Sequence, residues 1–177
     1  LQIGQGQEKK EKKTKKEFND FIINVSGDSI YGKITGNLTP AITSVQISFI
    51  DNETKTKRVY KAHQIKSWHP AGADFYFESK EYRPPGTAKG QPGLGVYMKR
   101  LTPYNGTVKM YEYYNTDELN GYTQVFLERR GKMTEVKYSK FRKQMAEYFK
   151  DYIDLSEKIK KKKYKKKDLK KIIDEYN

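Results

Sequence analysis

The sequence predicts an α+β fold: a mostly antiparallel β body, either a small barrel or a curved sheet of hairpins, followed by a C-terminal helical subdomain. Three observations carry this expectation. Between Phe18 and Tyr138, short runs of β-branched and aromatic residues recur at intervals of roughly ten, separated by turn residues. From Ser139 onward the apolar residues change to helical spacing. The mean hydropathy is low, at -0.98, but 15 Tyr and 8 Phe supply rings with polar tips that can build a core. The chain of 177 residues suits one domain with a helical appendage. It divides into a basic arm (1–17), the β-rich body (18–138) and the helical end (139–177).

Glu8 to Glu17 alternates Lys and Glu without an apolar anchor and reads as a flexible arm. Phe21 to Val25, the turn Ser26-Gly27-Asp28-Ser29 and Ile30 to Ile34 form a first hairpin. Alternation places Val45, Ile47 and Phe49 on one face, and Asp51 to Thr54 turns that strand into Lys57 to Tyr60. Ala62 to Gly72 breaks the period, so Ile65 and Trp68 are expected as a plug closing a sheet edge. Phe75 to Phe77 resumes a strand. Pro84 to Gly95, with three Pro and four Gly, reads as a mobile loop. Val96 to Leu101 and Val108 to Tyr114 flank Asn105-Gly106, a strong two-residue hairpin signal. Tyr122 to Arg129 pairs with Thr134 to Val136 across Arg130-Gly131-Lys132.

In the helical end, Ser139 is the expected N-cap of a helix whose apolar face carries Phe141, Met145, Tyr148, Phe149 and Tyr152. A break falls near Asp151 to Asp154, after which Leu155 and Ile159 continue the stripe. Asp168 caps a last helix with Leu169, Ile172, Ile173 and Tyr176 on one side.

Most of the formal charge of +14 sits at the ends of the chain, with +4 left in the body. Residues 1–17 hold six Lys against three Glu, and residues 139–177 hold fourteen Lys and Arg against seven acids. This favours tail-mediated contact with an anionic partner over a basic groove spread across the whole body. The absence of Cys excludes disulfides, thiolate metal sites and cysteine nucleophiles. No apolar run is long enough for a membrane-crossing helix. Leu1 to Gly6, ending in a small residue before Gln7, reads as the end of a secretory signal, which predicts an extracytoplasmic location in the periplasm or at the cell surface.

Few residues suggest chemistry. His63 and His69 flank Trp68, but their spacing matches no metal motif, so neither a metal nor another cofactor is predicted. Ser26 to Ser29 resembles a serine beside an acid but lies between two strands, where Asp28 serves the turn. Gly90 to Gly95 opens a strand, not a phosphate-binding helix. Asp117 and Glu118 are adjacent carboxylates with no reason to converge. Four Asn-x-Ser/Thr sequons begin at Asn24, Asn37, Asn52 and Asn105.

The clearest candidate for anion contact is Lys160, Lys161, Lys162, Lys163, Lys165, Lys166 and Lys167, interrupted by Tyr164. Such a run neutralises phosphates or lipid headgroups as point charges, without the bidentate clamps that Arg provides. The plainer reading is a solvated linker between two helices.

Gly27-Asp28-Ser29-Ile30-Tyr31-Gly32-Lys33-Ile34, the crossing segment Gln64 to Trp68 and the helical end from Phe141 to Tyr176-Asn177 together resemble a family of uncharacterised exported proteins from Bacteroidetes. The resemblance implies export and a β-rich fold with C-terminal helices, and it implies no activity. The run from Lys160 to Lys167 departs from the family pattern. The expected function is therefore a non-enzymatic exported β-domain that binds or assembles at the cell envelope, with anionic lipid, glycan or an envelope protein as partner. The alternative is polyanion or nucleic-acid binding through the basic C-terminal segment, with nucleic acid the less favoured partner.

Overall fold

The computed structural model describes residues 17–103, 105–116 and 121–177. The arm before Glu17, the signal-like Leu1 to Gly6, and Asp117 and Glu118 lie outside the described residues. The ten strands are β1 (Asp20–Asn24), β2 (Ser29–Thr35), β3 (Gln46–Asp51), β4 (Lys57–Lys61), β5 (Ile65–His69), β6 (Tyr76–Tyr82), β7 (Leu94–Arg100), β8 (Val108–Asn115), β9 (Tyr122–Arg129) and β10 (Lys132–Glu135). They form one sheet in the order β10-β9-β8-β7-β6-β5-β1-β2-β3-β4, with antiparallel pairing throughout. The helices are α1 (Pro40–Thr43), α2 (Phe141–Tyr148), α3 (Ile153–Lys160) and α4 (Leu169–Tyr176).

The first hairpin turns where expected. Asn24 Oδ1 accepts hydrogen bonds from the backbone of Gly27 and Asp28, and Gly27 takes φ +103°, a conformation open to residues without a Cβ. Gly32 is required for a different reason: a Cβ there would clash with the Ile50 carbonyl oxygen and the Phe49 ring. At the last hairpin, Arg130 (φ 51°) and Gly131 (φ 75°) make a two-residue turn with both central residues left-handed, matching strand twist.

Several expectations need correcting. Ile65 to His69 is no edge plug but the strand β5, lying between β1 and β6 in mid-sheet. A register shift between Ile23 and Asn24 accompanies its pairing with β1, and such irregularity hides a strand from period-two reading. Val45 precedes β3 and is exposed, while Ile47 and Phe49 are buried. Asn105-Gly106 forms no tight hairpin; β7 and β8 are joined by the longer segment 101–107, in which Gly106 keeps a negative φ. Pro84 to Gly93 is a loop as expected, built of turns in which Thr87 N donates to Pro84 O and Gly93 N to Glu81 Oε1, while Leu94 and Gly95 already belong to β7.

The sheet reverses its curvature. On the face carrying Ile22, Ile34, Ile47, Phe49, Trp68 and Tyr97, the N-terminal strands wrap inward around a core. The wrap brings Tyr97 on β7 within 3.3 Å of the Tyr60 carbonyl on β4, and Tyr97 N donates to Ser44 O. On the opposite face the C-terminal strands wrap the other way. Tyr82 on β6 meets Phe126 on β9 at 6.0 Å between ring centroids, although two strands separate them. The back of β8 and β9, carrying Val108, Met110, Val125 and Leu127, is covered by α2, α3 and α4 in one shared core.

Candidate functional site

Two clusters of charge stand out, and they differ in kind. The first lies on the concave face of β6 to β9. Arg100, 1% exposed, donates from Nη1 to Glu78 Oε1 at 2.7 Å, from Nε to Thr102 O at 3.2 Å, and from Nη2 to Pro103 O. Lys80 bridges Glu78 (2.9 Å) and Glu128 (2.7 Å), and the Tyr111 hydroxyl donates to Glu78 Oε2 at 2.7 Å. Burial alone would raise the Glu78 carboxyl, but hydrogen bonds from Lys80, Tyr111 and Arg100 prevail and hold it at about 2. Burial likewise opposes ionisation of Glu128, and Lys80 still brings its pKa down. Both acids are therefore ionised near neutrality. A glycosidase-type pair needs one carboxyl that keeps its proton, and the lowered Glu78 and Glu128 do not form such a pair.

Beside it, Ser67 Oγ lies 3.0 Å from His69 Nε2. The imidazole is sandwiched between Phe21 (4.1 Å, 9°) and Tyr76 (4.5 Å, 13°), in the sheet interior and not at the edge expected from sequence. Burial lowers its pKa to about 4, with Glu78 pulling weakly the other way, which leaves a base too weak for work near neutral pH. His63 is exposed in the short turn after β4, and no three of the described His, Asp and Glu residues converge as metal ligands. The His69 shift has a stability consequence. An unfolded His gains its proton below about 6.5 while the folded one resists until about 4, so stability falls as pH drops through that window. Discounted for partial exposure, the loss is about 1–2 kcal/mol. His69→Gln should flatten a plot of unfolding free energy against pH between these limits, and an unchanged slope would show that His69 titrates normally.

The second cluster is a cleft of about 1060 Å3 between the start of α2 and the turn joining α3 to α4. One wall carries Lys140, Arg142, Lys143 and Lys150; the other carries Lys160, Lys162, Lys165 and Lys166. Glu147 is the one acid in the lining, and Phe141, Ala146 and Ser156 are its buried residues. Lys150 pairs with Glu147 at 2.6 Å and Lys160 with Glu157 at 2.9 Å. The Lys150 hydrogen bond depresses the Glu147 carboxyl, and Lys160 on the facing wall adds to the effect. The other six cations make no ion pair among the described residues.

The lysine turn is built, not slack. Lys162 N donates to Ile159 O and Lys163 N to Lys158 O, the two bonds of a Schellman helix end. The left-handed position is Lys162, with φ 62°, where glycine is usual and an L residue costs about 1–2 kcal/mol. The Tyr164 hydroxyl donates to Glu175 Oε2, tying the turn to α4, and Asp168 Oδ2 accepts from Lys165 N. Asp168 therefore closes the turn instead of capping α4 with its side chain, and Ser139 is not an N-cap, because a 3₁₀ turn over Tyr138–Lys140 precedes α2. Tyr152 falls beyond α2 and is exposed.

Of the seven lysines singled out in the sequence, Lys160, Lys162, Lys165 and Lys166 line the cleft, and Lys161, Lys163 and Lys167 do not. Sequence reading missed the facing wall. Lys140, Lys143, Glu147 and Lys150 recur at helical spacing opposite Phe141, Met145 and Phe149, and that polar stripe was the available signal. The other sequence candidates are structural. Asp28 accepts from Asn24 Nδ2 within its turn, and Asn52 binds the backbone of Phe18 through both amide atoms. Gly95 lies within β7.

Compared with protein-family models, curated proteins and solved structures, the chain matches none.

Proposed function

We propose that this chain is a non-enzymatic binding module whose partner is a polyanion held in the cleft between α2 and the lysine turn. One observation carries the reading: eight cations face one another across a concavity that contains one acid. Like charges gathered this closely repel, and retaining a left-handed lysine in the turn adds backbone strain. An anionic partner relieves the repulsion and releases counterions. If the chain is exported, as its resemblance to exported proteins implies, anionic lipid and glycan are the partners an envelope would offer. No described helix is long and apolar enough to cross a membrane.

The test is elution from immobilised heparin. Lys162→Gln, Lys165→Gln and Lys166→Gln combined should move elution to distinctly lower salt, and Lys140→Gln, Lys143→Gln and Lys150→Gln should do the same from the other wall. A log-log plot of affinity against salt should lose slope in both variants, because fewer counterions are released. Elution of both variants at the wild-type salt concentration would refute the cleft as the binding site.

A further inference from the structure

A second concavity opens beside the basic cleft, where β7 and β8 part. The two strands pair only at Lys99 with Glu112 and Arg100 with Tyr111. Beyond Lys99 toward its start, β7 turns away to Ser44, and the fork encloses about 230 Å3 under α1. Its walls are the rings of Phe75, Phe77, Tyr97 and Tyr114, with Thr123 at the side. Lys99 and Glu112 stand directly opposite each other at this fork, yet they form no ion pair; the Lys99 ammonium sits 3.9 Å from the centre of the Phe75 ring instead.

The two concavities adjoin. Tyr138 lines the basic cleft and is exposed, and its ring lies nearly parallel to Phe141 at 6.3 Å. Val136 N donates to Val125 O at 2.8 Å, and Val125 stands opposite Glu112 in the β8 to β9 ladder, so the segment leading from Val136 to Tyr138 leaves the sheet next to Glu112; burial raises the Tyr138 phenol pKa, and the Glu112 carboxylate adds to it. Passing along the sheet face, aromatic rings give way to the Lys99 and Glu112 pair, then Tyr138, then the cationic walls.

We propose that the fork and the cleft are two subsites of one site for an acidic oligosaccharide, with a sugar ring in the aromatic fork and the acidic groups of neighbouring sugars in the cleft. This rests on the cleft being the polyanion site. Sugar rings stack their C–H faces on aromatic side chains, and Lys99 with Glu112 supplies one donor and one acceptor for adjacent hydroxyls. The fork has room for a single ring. A bilayer is disfavoured because its headgroups form a plane and the lysines here face one another across a recess.

The experiment is calorimetric titration of the full chain at low salt with a short oligogalacturonate, oligo-dT of similar length and phosphatidylglycerol vesicles. Phe75→Ala removes one wall of the fork, and Thr123→Tyr fills it from an exposed position. Each should weaken oligogalacturonate binding about tenfold, the equivalent of one lost ring contact, while leaving its salt dependence unchanged. The Lys162, Lys165 and Lys166 triple substitution should reduce both affinity and salt dependence. If the fork variants bind oligogalacturonate normally while the triple variant does not, the cleft reading stands and the sugar subsite is wrong. Tighter binding of oligo-dT that depends on Phe75 would assign the fork to a base. Tightest binding to vesicles, insensitive to both fork variants, would assign the cleft to a membrane. Binding unaffected by the triple variant overturns both readings.

Discussion

Arg100→Met should destabilise the fold by about 3–5 kcal/mol, the range for removing one partner of a buried ion pair and leaving the other charge behind. Arg100 is 1% exposed, and its guanidinium serves three acceptors at once: the Glu78 carboxylate and the carbonyls of Thr102 and Pro103. Met replaces the stem but none of the hydrogen bonds, so two carbonyls in the β7 to β8 connection and one carboxylate lose donors. Lys80 and Tyr111 still hold Glu78, which places the cost toward the lower end of that range. The same substitution should also change acid sensitivity. Glu78 is held at about 2 against an ordinary value of 4.5, so its contribution is present above about 4.5 and is lost as pH falls toward 2. Without Arg100 the folded pKa rises toward the ordinary value, so the loss still begins near 4.5 but ends at higher pH and is smaller in total. Urea melts at neutral pH and at pH 3 measure both effects. A loss under about 1 kcal/mol would mean that water substitutes for the guanidinium.

This cluster was illegible in the sequence, for a plain reason. Glu78, Arg100, Tyr111 and Glu128 come from four strands and meet only because the sheet coils enough to bring β6 onto β9. Curvature is a property of the whole sheet, and no window of residues encodes it. The turns were legible because their causes are local: Asn24 and Gly27 in one hairpin, Arg130 and Gly131 in another. Strand β5 lay between these extremes. Its partners β1 and β6 are distant or separated by a turn, and Ile65, Ser67 and Trp68 are all buried, so the strand shows no alternation to read. For the cleft, the lysine run gave half the site away, while the facing half lay on a helix whose apolar stripe explained the segment well enough to obscure its basic side.

Ile172→Ala should cost about 2–5 kcal/mol, whereas replacing Lys161, Lys162 and Lys163 together with Gln should leave stability nearly unchanged or raise it slightly. The contrast follows from how the C-terminus is held. Helix α4 has eight residues, too few to persist alone in water, so its order comes from packing. Leu169, Ile172 and Ile173 are buried against Phe149, Leu155 and Ile159 from the other helices and Val108 and Met110 from β8. At its end Asn177 Oδ1 accepts from Val108 N at 2.8 Å, and Asn177 Nδ2 donates to Val108 O at 3.0 Å, so the side-chain amide pairs with the strand as a neighbouring backbone would. Gly106 leaves the room for it, since a Cβ there would lie 2.6 Å from the amide nitrogen. Arg129, Asp151 and Tyr176 lock the same end, with the Tyr176 hydroxyl donating to Asp151 at 2.6 Å. A cavity at Ile172 is therefore walled by three helices and a strand, and fixed walls cannot collapse to fill it. The three lysines are exposed and carry no ion pair among the described residues. Their backbone bonds survive the change to Gln, and removing three like charges relieves repulsion in the turn. Denaturant melts of the two variants distinguish the outcomes. Equal and negligible losses would mean that α4 does not depend on the sheet, and a large loss from the lysine substitutions alone would mean that the turn is held by its charges.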